Sequence, residues 1–198
     1  MRDSIAAQTL SGEGSAFSGS TRFLALRAAP AAASAVTAAL RGLIEHIPDH
    51  PSLVPLVDAG VSDGRVFVVT PFVSGESLDR SLATHGPAAS SDALPRLRQL
   101  ADAIDRAWEV GLGHGALTPS HIVVATDCTR ILDLGVAQAL LRAGERVPLS
   151  SPYAAPEALG AAPCSPAADQ YSLAAITHEW LFGEPPAECG VPAFDLPH

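Results

Sequence analysis

The sequence predicts an α+β fold in which a small sheet comes first and helices follow. Three observations carry this. Short β-prone runs and tight turns lie before Phe72, on either side of one helical stretch. Longer stretches with apolar residues at helical spacing take over from Ser77 onward. A chain of 198 residues that is 47% hydrophobic and 17% charged is large and apolar enough to build a real core.

The elements follow in order. Gly12, Gly14 and Gly19 mark a turn, and Arg22 to Leu26 reads as a strand. Residues 31–47 read as a helix on the spacing of Val36, Leu40, Leu43 and Ile44. Pro48 and Pro51 end it, because the residue before a proline avoids the helical region. Leu53 to Val57 and Arg65 to Val69 read as two strands, with the turn Ser62-Asp63-Gly64 between them. Helix signals run from Ser77 to Leu82, then from about Ser91 to Val110, with Gly111 as the stop. A loop-rich stretch follows: Gly113 to Ser120, a strand Ile122–Val124, a turn at Asp127 and a strand Arg130–Leu132. The last helix runs from about Ala167 to Phe182 and stops at Gly183 and Pro185-Pro186.

Composition excludes several functions. A net charge of −9 is poorly suited to a nucleic-acid backbone or an anionic membrane surface. No apolar run is long enough to span a bilayer, and no signal peptide is read at the start. Cys128, Cys164 and Cys189 are widely spaced and odd in number, which predicts free thiols in a reducing, cytoplasmic setting. All 12 basic residues are arginine, and the chain contains no lysine and no asparagine. Chemistry that requires either side chain is excluded within this chain.

A series of short motifs then appears in a telling order. His50-Pro51-Ser52-Leu53-Val54, Val68-Val69-Thr70-Pro71-Phe72-Val73, and Gly75-Glu76-Ser77-Leu78 come first. His114-Gly115-Ala116-Leu117-Thr118-Pro119-Ser120-His121, Asp133-Leu134-Gly135, Ala155-Pro156-Glu157 and Asp169-Gln170-Tyr171-Ser172-Leu173 follow. Together they resemble the Ser/Thr protein kinase family across most of the chain. The segments beginning at His114, Asp133 and Ala155 are similar to the catalytic loop HRDLKPSN, to DFG and to APE. Thr70 falls at the gatekeeper position. Each motif alone is weak, and their order and spacing make the resemblance specific.

Phosphoryl transfer in that family needs a strand lysine on the phosphates, a helix glutamate to hold it, an aspartate that accepts the hydroxyl proton, and an Asp and an Asn on magnesium. By the resemblance the strand lysine falls at Arg27, a bulkier, forked group. The glutamate falls among alanines, Leu40 and Arg41, and Glu45 comes too late. The catalytic aspartate falls at Ala116, whose methyl cannot take a proton. The loop lysine falls at Thr118, the asparagine at His121 and the loop arginine at Gly115. Asp133 alone survives as a weak candidate metal ligand; His121 beside it would make only a two-ligand site. The glycine-rich loop is reduced to Gly12-Glu13-Gly14-Ser15-Ala16-Phe17, and the span from Gly14 to Arg27 looks short for two strands and a hairpin.

Scaffold positions are kept. His114, Leu134 and Leu56 match an apolar stack joining two lobes, and Ala25 and Val123 match the residues that sandwich an adenine ring. Asp169 is placed to accept hydrogen bonds from the catalytic-loop backbone. The resemblance implies a protein-kinase-like bilobal fold: residues 1–72 as a β-rich N-lobe and residues 73–198 as an incomplete, mainly helical C-lobe, truncated after its central helix. It implies a catalytically inactive pseudokinase serving as a regulatory or protein-binding module. The alternative is a nucleotide-binding enzyme with atypical phosphotransfer or weak Ser/Thr kinase activity. No cofactor is required; ATP is expected to bind weakly at Ala25, Arg27, Thr70, Val123 and Asp133. Expected partners are a protein or the remainder of a longer chain, with self-association as another outcome, and neither nucleic acid nor inserted membrane. The expected partner of Glu157, an arginine on a later helix, does not occur in this sequence, so Glu157 must either lie unpaired in the interior or meet water. The helix carrying Tyr171, Leu173, Ile176, Trp180 and Leu181 is expected to leave one apolar side bare.

Overall fold

The computed structural model describes residues 15–18, 21–26, 28–159 and 163–186. Arg27, Gly12, Gly14 and Cys189 lie outside the described residues. The first sheet holds β1 (Ser15–Ser18), β2 (Thr21–Leu26), β3 (Asp58–Ser62) and β4 (Arg65–Pro71) in the antiparallel order β1-β2-β4-β3. β1 and β2 do fit into the short span before Arg27, paired from Ser15 opposite Leu24 to Ser18 opposite Thr21.

The β3–β4 hairpin follows from two residues. Ser62 pairs with Arg65, which leaves Asp63 and Gly64 as the loop, with φ of 51° and 73°. Two successive positive φ values define the turn whose twist matches a hairpin, and Asp-Gly is the pair that adopts it. The expected strand Leu53–Val57 does not form. This stretch makes a single parallel bridge, Leu53 to Ile131, and isolated bonds from Val54 N–H to Ile131 O and from Val57 N–H to Val69 O. Pro55 has no N–H, so a regular ladder through it is broken.

Helix α1 (Ala33–Ile44) buries Val36, Leu40 and Leu43 on one face and lies against β3 and β4. Beyond β4 come the short β5 (Glu76–Ser77), α2 (Leu78–His85) and the long α3 (Ser90–Glu109). α3 buries Ala93, Leu97, Leu100, Ala103, Ile104 and Ala107, a stripe at three- and four-residue spacing, and packs on α6 (Pro166–Phe182). A second sheet, β5-β6-β7, is built from β6 (Ile122–Val124) and β7 (Thr129–Ile131) beside β5. Arg96 of α3 holds the β6–β7 turn, donating from Nη1 to Ala125 O at 2.8 Å and Cys128 O at 3.2 Å, and from Nη2 to Thr126 O at 3.1 Å. α4 (Val136–Arg142), which the sequence reading did not anticipate, and α5 (Pro156–Leu159) lie between β7 and α6.

One hydrophobic cluster runs through the molecule, from Val36 and Leu40 through Leu56 and Leu134 to Ile176 and Trp180. No helix among the described residues is long and apolar enough to cross a membrane. Glu157 is exposed at the surface of α5, so its carboxylate meets solvent and bears no burial cost. α6 keeps Tyr171, Leu173 and Leu181 only partly covered, and Phe182 at its end is 69% exposed.

Candidate functional site

The site is built on the loop Gly113–Ser120, which runs from α3 to β6. Its anchor is Asp169, at the start of α6 and 1% exposed. Asp169 Oδ2 accepts from the His114 N–H at 2.7 Å and from Trp108 Nε1–H at 3.0 Å, while Oδ1 accepts from the Gly115 N–H at 2.7 Å. These three donors favour the carboxylate, but burial outweighs them and pushes its pKa up. The loop is thus held as the sequence reading of Asp169 anticipates.

Gly115 has φ of 73°, and a Cβ there would lie 2.7 Å from Cys164 Sγ. The position that carries the family's loop arginine therefore has neither the backbone nor the space for one. Ala116 follows, partly buried, with a methyl group and no acid. Burial pushes the Cys164 thiol up to about 12, with Asp169 adding to the effect.

His114 is buried. Its Nε2 lies 3.1 Å from Leu132 O, and a carbonyl can only accept, so Nε2 carries the proton and Nδ1 accepts the weaker bond from Ala116 N–H at 3.4 Å. The ring of His121 meets it edge-on, with centroids 4.8 Å apart. His121 Nδ1 lies 2.9 Å from Thr118 Oγ1, which also reaches Ser120 Oγ at 2.9 Å. Burial lowers the His114 pKa to about 4. Burial and then the neighbouring His114 lower that of His121 to about 3. Both rings are neutral at physiological pH.

Asp133 is 4% exposed and sits at φ 60°, a left-handed conformation unusual for a residue with a side chain. Both its oxygens are engaged by Arg22 of β2, Nη1 to Oδ1 at 2.7 Å and Nη2 to Oδ2 at 2.9 Å. Arg22 was not among the residues singled out from sequence. It lies directly opposite Thr70 in the β2–β4 register. Thr70 is fully buried, and its Oγ1 finds no partner among the described residues.

The same register corrects one expectation. Ala25 pairs with Phe67, an odd number of residues from the Arg22–Thr70 pair, so it lies on the opposite sheet face. Ala25 cannot close over Val123 as one half of an adenine sandwich. The inward-facing positions of β2 are Arg22, Leu24 and Leu26. Val123 does line a cavity of about 520 Å³ together with Leu132, Val73, Arg22, Arg80 and Ser120.

α1 carries no acidic residue within its span, and Glu45, one position past its end, is exposed. Where α1 approaches the Asp133 loop, the contact is apolar: a Cβ on Gly135 would lie 2.9 Å from Leu43 Cδ1. α4 starts immediately after Gly135 and packs along α1. Leu56 and Leu134 lie in the common core cluster, and His114 is buried in the loop beside Leu132.

A β-sheet with one helix, a loop pinned to a buried aspartate, and an Asp-Leu-Gly turn beside a cleft define a protein-kinase-like domain. Comparison with known proteins agrees: the protein kinase domain matches residues 40–190, and this chain belongs to that family. It is 34% identical over 143 residues to the serine/threonine-protein kinase PknD of Mycobacterium tuberculosis, covering 69% of this chain and 21% of the relative. PknH of Mycobacterium bovis matches at 34% over 143 residues, 69% of this chain and 24% of that protein. PknE of Mycobacterium tuberculosis matches at 33% over 143 residues, 69% of this chain and 25% of that protein. The chain spans between 21% and 25% of the length of these curated relatives.

The metal and nucleotide that the family implies can be tested against the side chains present. Among the described residues, no three His, Cys, Asp or Glu groups converge as metal ligands. Asp133 has both oxygens on a guanidinium, and His121 stands where an amide oxygen would be needed. The described residues do not fit a divalent cation.

Proposed function

We propose that this chain is a catalytically inactive kinase-family domain, a pseudokinase, that works as a regulatory or protein-binding module. The observation that carries the reading is Ala116, a methyl group in a loop that Asp169 still holds in place. Phosphoryl transfer to a hydroxyl needs a group there that accepts a proton, and a methyl cannot. The absence of lysine and asparagine from the whole sequence removes the lysine that would hold phosphate and the asparagine that would hold metal. ATP, if offered, binds weakly: Val123, Leu132 and Val73 supply an apolar wall, while Thr118 and His121 replace the polyphosphate and metal contacts.

The binding role is supported by apolar side chains left in water. Phe182 is 69% exposed and Leu159 57%. A protein partner or a second copy covers them in this reading.

Incubation of the purified chain with γ-labelled ATP, magnesium or manganese, and generic protein substrates tests the catalytic half. The expected signal equals that of a heat-killed control. Metal-dependent labelling that disappears in Asp133→Ala would overturn it. Light scattering at high concentration tests the other half: concentration-dependent association is expected, and a monomer that binds no apolar dye would contradict it.

A further inference from the structure

We propose that Arg22 is a resident substitute for the divalent cation at Asp133, so that the cleft is latched by the chain itself and admits no metal there. This rests on the reading of the chain as an inactive kinase-family domain and adds a reason of its own. In such a cleft the aspartate after β7 exists to hold a cation with its two oxygens. Here both oxygens accept from one guanidinium, at 2.7 and 2.9 Å, with the carboxylate 4% exposed. A planar fork matches a carboxylate edge in two parallel bonds, the strongest geometry an arginine offers.

The positions of the two residues make this a latch as well as a block. Arg22 is carried by the first sheet, on the inward face opposite Thr70. Asp133 follows the second sheet, at the turn that leads into α4. The bond therefore ties together two parts that 111 residues of chain separate. A metal ion entering this site would have to displace the guanidinium and strand it in a wall already shared with Arg80. The two charges face each other at bonding distance, so the cost of removing one is expected to shrink once the other is already gone.

Two measurements on the purified chain decide the matter. The first is the electron paramagnetic resonance signal of free Mn²⁺, with and without ATP. The wild-type chain is expected to leave it undiminished relative to the same mixture without protein. Depletion that Mg²⁺ reverses and Asp133→Asn abolishes would overturn the proposal. The second is urea unfolding of Arg22→Gln, Asp133→Asn and the double variant. The singles are expected to destabilise, and the double by far less than their sum, with a coupling above tenfold in the unfolding constant. Additive effects would overturn the latch. Should either single variant fail to fold, Arg22→Lys keeps the charge without the fork and is expected to lose only part of the stability; no loss at all would count against the fork. Manganese binding without phosphate transfer would sink this inference alone, whereas transfer by the wild-type chain would sink the functional reading instead.

Discussion

Trp108 donates its indole N–H to Asp169 at 3.0 Å, from the end of one long helix to the start of another. The same carboxylate holds the two backbone N–H groups of His114 and Gly115. Asp169→Ala leaves the buried His114 N–H and two half-buried donors without their acceptor. The expected loss is on the order of 3 kcal/mol, read by urea denaturation. A loss under about 1 kcal/mol, the worth of one ordinary hydrogen bond, would mean the loop is held by something else.

Arg96 makes a similar tie at lower stakes. Its guanidinium serves three carbonyls and the Thr129 hydroxyl in the β6–β7 turn. Arg96→Ala should cost roughly 1–3 kcal/mol and raise protease nicking between Ala125 and Cys128. Unchanged proteolysis would show that the turn keeps its shape unaided.

Acid should act on the histidine pair. His114 and His121 fold with their pKa values lowered from 6.5 to about 4 and about 3. The unfolded chain therefore binds more protons below pH 6.5, and stability falls as the pH drops from there toward the folded values. Above pH 6.5 both rings are neutral in either state and the contribution is complete. His121→Gln should flatten the stability profile between about pH 6.5 and 4, by an amount on the order of 1–3 kcal/mol. Parallel profiles for variant and wild type would show that His121 titrates normally.

Restoring the lost acid should not restore catalysis. Ala116→Asp is expected to give no labelling above background, because Thr118 and His121 still occupy the neighbouring positions. Gly115→Arg is expected to destabilise by about 1–3 kcal/mol, since it places a side chain at positive φ against Cys164. A stable Gly115→Arg protein with unchanged unfolding midpoint would refute that account of the position.

Much of the fold was legible because its signals are local. Asp63-Gly64 names its own turn, and the stripes on α1 and α3 name their buried faces. The seven residues of α4 are too few to show a period. Leu53 to Val57 has strand composition, but the missing donor at Pro55 outweighs it. The family motifs single out Ala116, Thr118, His121 and Asp133, since the loops that carry them are contiguous. β2 was harder: adjacent residues point to opposite faces, and Ala25 lies on the face opposite Arg22. Arg22 was missed because its partner lies 111 residues away. The signal available was its even spacing from Leu24 and Leu26 on the inward face.

The placement of the two tryptophans has an optical consequence. Trp108 ends α3 and Trp180 lies buried in α6, and the two tyrosines, Tyr153 and Tyr171, belong to the same part of the chain. The first sheet carries neither chromophore; its aromatic pair, Phe23 and Phe67, barely absorbs where the others do. Emission from this protein is therefore light from residues beyond the first sheet alone. A sheet that melted early would pass unseen in a fluorescence trace, which would still draw one clean sigmoid. A tryptophan at position 67 would give that half its own colour.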